Sequence, residues 1–177
     1  CAFKAEKRNS DERCKLCVYA AAGQGQDAFM KTYADSNAHF AAERLPFLVQ
    51  NEWDDLLYAM DALFIRGEDS LSRACLSGIP FVWQAYPQED DYQRVKVEAL
   101  LHRIKDFFPR DDFAIVENAW TLYNVSGTVF CDTEKALFAF LEAADRIKKY
   151  FAAFASALIA NGDFARSLLD YLRHFAL

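Results

Sequence analysis

The sequence predicts an α/β fold: a small parallel sheet with helices on both faces and a helical C-terminal tail. Short apolar runs alternate with amphipathic segments between residues 15 and 86, an order typical of parallel strands joined by crossover helices. From residue 88 onward the apolar residues recur at helical spacing. A chain of 177 residues has room for one domain around one core, so residues 1–177 are treated as a single domain.

Four apolar runs are the strand candidates, namely residues 15–21, 43–50, 62–65 and 80–86. The run ALFI at 62–65 has the length and continuous apolarity of a central strand that is buried on both faces. Strands in this chain order, each separated from the next by a helical segment, favour parallel pairing.

Helical segments follow these strands, starting with one after the turn Gly23-Gln24-Gly25 and one at residues 51–61. A two-turn helix at 70–77 ends at Gly78, with Pro80 just beyond it. In the tail, helices are predicted at 89–108 and 112–125, then as one long or two shorter helices after an Asp132 or Thr133 cap, and again after Gly162. We expect this tail to wrap the sheet.

The charge balance argues against binding to nucleic acid or to membrane surfaces. The formal net charge is −6, from 26 acidic and 20 basic residues that form no long blocks of one sign. No run approaches the roughly 18 apolar residues of a membrane span. The first residues lack the apolar core of a signal peptide, so we expect a cytoplasmic protein.

The five cysteines are an odd number and do not suggest a disulfide framework. Cys14 and Cys17 have the CxxC spacing of redox and zinc sites, yet they flank an apolar run in which cysteine acts as a small hydrophobic residue. The three histidines lie far apart in the sequence. We therefore expect no metal site.

Polar and aromatic residues gather where the predicted strands end, and ligands of open parallel sheets bind at the carboxyl ends of strands. This rule selects three groups: Phe47, Gln50, Asn51 and Trp53; Arg66 to Ser70; and Tyr86, Pro87 and Gln88. A helix N-cap at Asp69 or Ser70 would direct the N–H groups of residues 70–72 at an anion. Arg66 adds a permanent charge suited to a diphosphate.

The other residues of these groups also have chemistry suited to a ligand. Gly67 permits a tight turn and leaves room for a ligand beside the backbone. Glu68 and Asp69 are expected to accept hydrogen bonds from sugar hydroxyls, from the backbone or from a cationic acceptor. Phe47 and Trp53 could hold a flat base between them.

Structural interpretations of the same residues stay open at this point. Asp69 and Ser70 could serve only as a helix cap, and Phe47 and Trp53 only as core aromatics. Arg66 and Glu68 could form a surface ion pair. The GxG turn at Gly23 fits either a ligand contact or ordinary turn chemistry. The residues alone predict an anion or nucleotide site on a Rossmann-like sheet.

The stretch LPFLVQNEWDDLLYAMDALFIRGEDSLSRACLSGIPFVWQAYPQEDD closely resembles the EarP family, the protein-arginine rhamnosyltransferases that modify elongation factor P. Family members have a segment of the type P-F-x-x-Q-x-x-[FW]-D-x-L-L. It is followed by A-D-x-x-x-I-R-G-E-D-S-x-x-R-A-x-x-[AS]-G-x-P-F-x-W-x-x-Y-P-Q. The C-terminal ALIANGDFARSLLDYLRHF resembles the closing helices of the family more loosely.

The resemblance implies the nucleotide-sugar half of a two-domain GT-B glycosyltransferase. Such an enzyme moves L-rhamnose from dTDP-β-L-rhamnose to an arginine of elongation factor P, with inversion and without a metal or another cofactor. By the resemblance, Phe3, Phe47 and Trp53 flank the thymine, and Gln50 reads the base or its sugar. Glu68 acts near the reacting centre, orienting donor or acceptor. The residues that would hold the diphosphate and the rhamnose are Arg66, Asp69, Ser70 and Tyr86.

The sequence also departs from the family. The family's N-terminal domain, with its D-N-[FY]-G-D-[IA]-G segment, is absent from this sequence, and Cys1 stands at a usual aromatic position. That domain would supply the general base and most contacts to elongation factor P, so we expect this chain to bind the donor without turnover. Two alternatives are a GT-B transferase with another nucleotide sugar and a non-catalytic nucleotide-binding module.

Overall fold

The computed structural model describes residues 2–6, 15–38, 40–125 and 130–175, and for residues 2–6, 15, 24 and 175 it describes the backbone alone. The strands are β1 (Ala2–Glu6), β2 (Lys15–Ala20), β3 (Ala41–Arg44), β4 (Ala62–Arg66) and β5 (Phe81–Gln84). The helices are α1 (Gln24–Asp35), α2 (Gln50–Tyr58), α3 (Glu68–Ser77), α4 (Tyr92–Ile104), α5 (Arg110–Asn124), α6 (Phe130–Ala160) and α7 (Phe164–Phe175). The α/β fold class is confirmed.

The five strands form one sheet in the order β3-β2-β1-β4-β5. As predicted, β2 pairs in parallel with β3, and β4 pairs in parallel with β5. The sheet as a whole is mixed, because β1 lies between the two pairs and is antiparallel to both β2 and β4. Only residues 7–14 connect β1 to β2, which is too short for the crossover that a parallel pair requires.

The predicted strand at 43–50 is displaced in the structure. β3 covers Ala41–Arg44, and its parallel pairing with β2 ends where Ala20 meets Arg44. Leu45 still donates its N–H to the Ala20 carbonyl at 2.9 Å, and the chain then continues without regular structure to α2. Pro46 has no N–H to offer to a ladder, which explains why pairing stops here.

The core lies on both faces of the β4–β5 pair. Phe81, Val82 and Trp83 are consecutive and all buried, so helices cover both faces of β5. Phe81 packs against Trp120 of α5 and Phe151 of α6, with ring centroids 5.0 and 5.3 Å apart. Val82 points to the opposite face of β5 and is also fully buried, so the prediction of helices on both faces is confirmed.

Two side chains of α5 fasten this helix to the open edge of β5. The Trp120 indole N–H donates to the Phe81 carbonyl at 2.7 Å. Asn124 accepts from the Ala85 N–H at 2.9 Å and donates to the Trp83 carbonyl at 2.7 Å. Alternate residues of a strand direct their backbone groups to the same edge, so these two side chains satisfy three groups that a further strand would otherwise bind.

The tail differs from its prediction in three details. α4 is flanked by single 3₁₀ turns at 89–91 and 105–107. α6 is one helix of 31 residues that already includes Asp132 and Thr133, so neither caps it. Gly162, with φ of 78°, separates α6 from α7 as expected. The described side chains of α7 are exposed, including Phe164 and Leu172, so α7 does not wrap the sheet.

Two further predictions concern membrane spans and the CxxC motif. Within the described ranges, no helix is long and apolar enough to cross a membrane. Cys17 is half-buried in β2. Its partner in the CxxC motif, Cys14, lies outside the described residues.

Candidate functional site

A cleft of about 520 Å³ lies at the carboxyl ends of β2, β4 and β5. Its walls come from the turn that follows β2, from one side of α2, from the junction of β4 with α3, and from the end of β5. The predicted site residues that line it are Trp53, Arg66, Ser70 and Tyr86. Elements that are distant in sequence therefore bring these four side chains to one cavity.

Arg66 gives the cleft a positive charge. It is the last residue of β4, and its guanidinium carbon lies 5.1 Å from the centroid of the Tyr86 ring. A guanidinium at this distance from an aromatic ring gains a cation–π attraction of about 0.5–1 kcal/mol at an exposed site. The contact holds Arg66 over Tyr86 and leaves the N–H groups of the planar guanidinium available to an anion.

Helix α3 begins earlier than the sequence predicted. Its N-cap is Gly67, with φ of 85° and ψ of 170°, and no side chain caps it. Asp69 and Ser70 are therefore inside the first turn, and the prediction of either as the N-cap is wrong. Leu71 donates its N–H to the Gly67 carbonyl at 3.2 Å, so the N–H groups left at the helix start are those of residues 68–70.

The space beside Gly67 is also not where the sequence placed it. A Cβ at this position would lie 3.1 Å from two atoms of the Tyr86 ring and hydroxyl. Tyr86 thus occupies the room that was expected for a ligand, and Gly67 serves the packing of Tyr86. A ligand in the cleft would meet Tyr86 rather than the backbone of Gly67.

The two acids of the first turn of α3 are exposed and do not line the cleft. The Glu68 carboxylate lies 3.4 Å from the Lys96 ammonium of α4, in an exposed ion pair. This pair replaces the Arg66–Glu68 ion pair considered from the sequence. The negative charges of these two carboxylates are attracted to the positive end of the helix dipole, and this attraction stabilises α3.

Helix α2 contributes Trp53 to the cleft wall but not the two predicted residues before it. Phe47 is 90% exposed and lies outside the cleft lining. Gln50 donates to both carboxylate oxygens of Asp54 at 3.3 Å, and Asp54 also pairs with Arg73 of α3. The Asp54 carboxylate thereby joins α2 to α3. Phe3 belongs to β1 by its backbone, and its side chain lies outside the described part of the structure.

The turn after β2 also contributes residues to the cleft. Gln26 donates to the carbonyls of Ala20 and Leu45, both at 2.8 Å, and so holds the turn after β2. Gly23 and Gly25 of the GxG turn line the cleft, where a Cβ at either would meet no atom within 4 Å. The GxG pattern after a strand indicated that the two glycines could contact a ligand, whereas no sequence pattern indicated a role for Gln26.

Tyr123 of α5 is a further cleft residue. Burial raises the pKa of its phenol, and the nearby Arg66 charge opposes part of that rise. The ring packs edge-on against Phe64 of β4, with centroids 6.1 Å apart. In the sequence Tyr123 is one of several apolar residues of a helix, so no local pattern distinguished it.

The described residues hold no group of three or more His, Cys, Asp or Glu side chains placed to bind a metal ion. The pKa of the Cys75 thiol, on α3, is raised to about 11 by burial, so this cysteine is protonated at neutral pH. The chemistry that the cleft itself offers is binding: an arginine, helix N–H groups, hydroxyls and aromatic faces around one cavity.

Fold and cleft together define the class: an α/β domain of Rossmann-like type with a ligand-sized cleft at the carboxyl edge of its strands. Residues 7–173 match the model of a family described as "Elongation-Factor P (EF-P) rhamnosyltransferase EarP". The chain therefore belongs to the EarP family, as its motifs indicated.

Three relatives are named protein-arginine rhamnosyltransferase. The protein of Shewanella oneidensis is 39% identical over 80 residues, which are 45% of this chain and 19% of the relative. That of Pseudomonas aeruginosa is 36% identical over 83 residues, 47% of this chain and 22% of the relative. That of Pseudomonas putida is 28% identical over 130 residues, 73% of this chain and 33% of the relative. The matches thus span a third or less of each relative.

A solved structure supports the fold. It is described as "Structural basis for EarP-mediated arginine glycosylation of translation elongation factor EF-P". It matches with a TM-score of 0.74 and 23% identity, over 94% of this chain and 54% of the solved chain. This chain therefore spans about half the length of the protein whose fold it shares.

Proposed function

We propose that this chain is the donor-binding domain of a GT-B glycosyltransferase that transfers L-rhamnose from dTDP-β-L-rhamnose to an arginine of elongation factor P. The observation that carries the proposal is the convergence of Trp53, Arg66, Ser70 and Tyr86 on one cleft, in a chain of the EarP family. The rhamnosyltransferase names of the relatives support the sugar and the arginine acceptor.

In this proposal each cleft residue has a role that its chemistry supports. Arg66 binds the diphosphate with its fork of donors, assisted by the free N–H groups in the first turn of α3. Ser70 and Tyr86 offer hydroxyls to the diphosphate or the sugar, and Trp53 offers a ring face to the thymine. Together they would hold the anionic part of the donor at the helix start.

The predicted residues outside the cleft lining need a change in position to reach the same donor. Phe47 would approach Trp53 to close over the thymine, and Gln50 would exchange the Asp54 carboxylate for the base. Asp69 would turn toward the sugar. Glu68 would leave Lys96 to orient donor or acceptor. The Glu68–Lys96 ion pair is exposed, so breaking it costs about 1 kcal/mol or less.

The transfer needs a general base, because a guanidinium nitrogen must lose a proton as it attacks the anomeric carbon with inversion. In the proposal an aspartate of the family's other domain takes that proton, and most contacts to elongation factor P also lie there. The part played by this chain is to bind the donor and to fix its anomeric carbon. No metal is assigned to the reaction, and activity that survives a chelator would support this.

Calorimetric titration with dTDP, UDP and GDP tests the donor. We expect dTDP to bind more tightly than UDP and GDP. A clear preference for UDP or GDP would overturn the rhamnose donor and favour a GT-B transferase with another nucleotide sugar.

Transfer itself is tested by mass spectrometry of elongation factor P, after incubation with dTDP-β-L-rhamnose, this chain and a cognate N-terminal domain. A rhamnosyl mass increment on one arginine is expected. If both parts are folded and no increment is found, the chain is better described as a non-catalytic nucleotide-binding module.

A further inference from the structure

Tyr123 reaches the cleft from a part of the chain that contains none of the predicted site residues. It lies near the end of α5, beyond the last strand, whereas the other residues that line the cleft lie between Ala20, at the end of β2, and Tyr86, just after β5. Its side chain is half-buried and lines the same cavity as Arg66 and Ser70. A tyrosine in this position is either a packing residue or a contact for the ligand.

The position of Tyr123 is fixed by its neighbours in the helix. Trp120, one turn earlier, donates to the Phe81 carbonyl at 2.7 Å, and Asn124, the next residue, exchanges hydrogen bonds with Trp83 and Ala85. These bonds join α5 to the strand whose end supplies Tyr86. Packing against Phe64 restrains the ring from the side. A side chain held this firmly is pre-organised for a bound partner, which lowers the entropic cost of binding.

The phenol is available as a hydrogen-bond donor. Across the described part of the chain, no group forms a hydrogen bond with the Tyr123 hydroxyl. The pKa of this phenol is raised by burial more than the neighbouring Arg66 lowers it, so the group carries its proton at neutral pH. A protonated hydroxyl beside a guanidinium is suited to an anionic oxygen, to which it can donate while the guanidinium balances the charge.

We infer that the Tyr123 hydroxyl is a further ligand contact of the cleft and donates a hydrogen bond to a diphosphate oxygen that Arg66 also binds. The inference deepens the proposed function and rests on it, since the ligand is the nucleoside diphosphate part of the donor. Tyr123 then contributes to affinity for the diphosphate, and α5 becomes part of the binding site rather than only part of the core.

The test is dTDP titration of the Tyr123→Phe chain by calorimetry. Phenylalanine keeps the ring and its packing on Phe64, and the hydroxyl has no partner to lose within the described residues, so the melting temperature without ligand should not change. The dissociation constant for dTDP should rise by about 10- to 100-fold, the range for hydrogen bonds to charged groups. Tyr123→Leu, which also lacks the hydroxyl, gives a second variant.

Tyr150→Phe is the matched control. Tyr150 is a half-buried tyrosine of α6 that packs against Phe108 at 5.1 Å, away from the cleft lining, and its variant should bind dTDP like the unmodified chain. If the unmodified chain binds dTDP and Tyr123→Phe binds it equally well, the hydroxyl contact is overturned while the proposed function stands. If Tyr123→Leu alone loses affinity, the contact is made by the ring and the inference is wrong. If the unmodified chain does not bind dTDP, both proposals fail.

Discussion

Gly67 and Tyr86 are packed so closely that a Cβ on Gly67 would lie 3.1 Å from the Tyr86 ring and hydroxyl. The backbone at Gly67 also has φ of 85° and ψ of 170°, a conformation that is essentially restricted to glycine. Tyr86 in turn lies under the Arg66 guanidinium. The glycine, the aromatic ring and the cation therefore depend on one another at the junction of β4 and α3.

Gly67→Ala should lower the free energy of unfolding by about 1–3 kcal/mol, because alanine must adopt a strained backbone conformation. The added methyl should also displace Tyr86 from Arg66. Urea unfolding of both chains, followed by far-ultraviolet circular dichroism, measures the change.

Gly25→Ala is the control, since Gly25 lies in the first turn of α1, has an ordinary φ, and a Cβ there would meet no atom within 4 Å. Alanine at this position should leave stability unchanged or raise it by up to about 1 kcal/mol. Equal effects of the two substitutions would show that Gly67 is not under strain.

Asn124→Ala should be among the most destabilising polar substitutions in the chain. It would leave the Ala85 N–H and the Trp83 carbonyl of a buried strand edge without their partner. An unsatisfied buried group costs about 1–3 kcal/mol, so a loss of roughly 2–5 kcal/mol is expected in urea unfolding. Asn118→Ala, at an exposed position of the same helix, should change stability by no more than about 0.5 kcal/mol. A similarly small effect of Asn124→Ala would mean that water replaces the side chain.

Much of the fold could be predicted because its signals are local. The continuous apolar run 62–65 became β4, and Gly78 ends α3 in a left-handed conformation, as a glycine before a proline-containing stretch suggested. β1 was missed although Phe3 and Ala5 alternate with Lys4 and Glu6, a pattern typical of strands. Its central place in the sheet depends on pairing with β4, which is far along the chain and leaves no trace in local sequence.

The sequence predicts the position of the candidate cleft better than the arrangement of the residues within it. The rule for carboxyl ends of parallel strands selected Trp53, Arg66, Ser70 and Tyr86 because strand order alone decides that edge. The prediction of Asp69 or Ser70 as the N-cap is wrong, because side-chain preferences do not show that the helix already begins after Gly67. Tyr123 could not be selected, since its arrival at the cleft depends on the attachment of α5 to β5.

Arg66→Ala should weaken dTDP binding by about 1.5–3 kcal/mol, the contribution of a hydrogen bond to a charged group. Ser70→Ala should weaken it less, because the backbone N–H groups at the start of α3 remain. Arg94→Ala, which removes an exposed arginine of α4 paired with Glu98 at 3.8 Å, controls for the loss of one positive charge. Calorimetry measures all three affinities. Unchanged affinity in Arg66→Ala would show that this residue does not contact the diphosphate, and unfolding of Ser70→Ala would assign Ser70 a structural role.

The half-buried thiol of Cys75 should make the free energy of unfolding depend on pH in the alkaline range. In the folded chain its pKa is about 11, compared with 9.0 for an ordinary thiol, because burial disfavours the thiolate. Below pH 9 the thiol keeps its proton in both the folded and the unfolded chain, so its ionisation does not reduce the free energy of unfolding. Between about pH 9 and pH 11 the unfolded chain loses the proton first, and stability falls as pH rises. The slope from one such group is at most about 1.4 kcal/mol per pH unit.

Urea unfolding of the unmodified chain and of Cys75→Ala from pH 8 to pH 11 separates this contribution from others. Cys75→Ala should lower stability at pH 8, where a packed side chain is lost, yet show a shallower decline above pH 9. Cys131→Ala is the matched control: this thiol is exposed, and its removal should leave the slope unchanged. The same burial should protect Cys75 from iodoacetamide at pH 8 while Cys131 reacts, as peptide mass spectrometry can show. Equal slopes for the unmodified chain and Cys75→Ala would mean that water reaches the Cys75 thiol in the folded state.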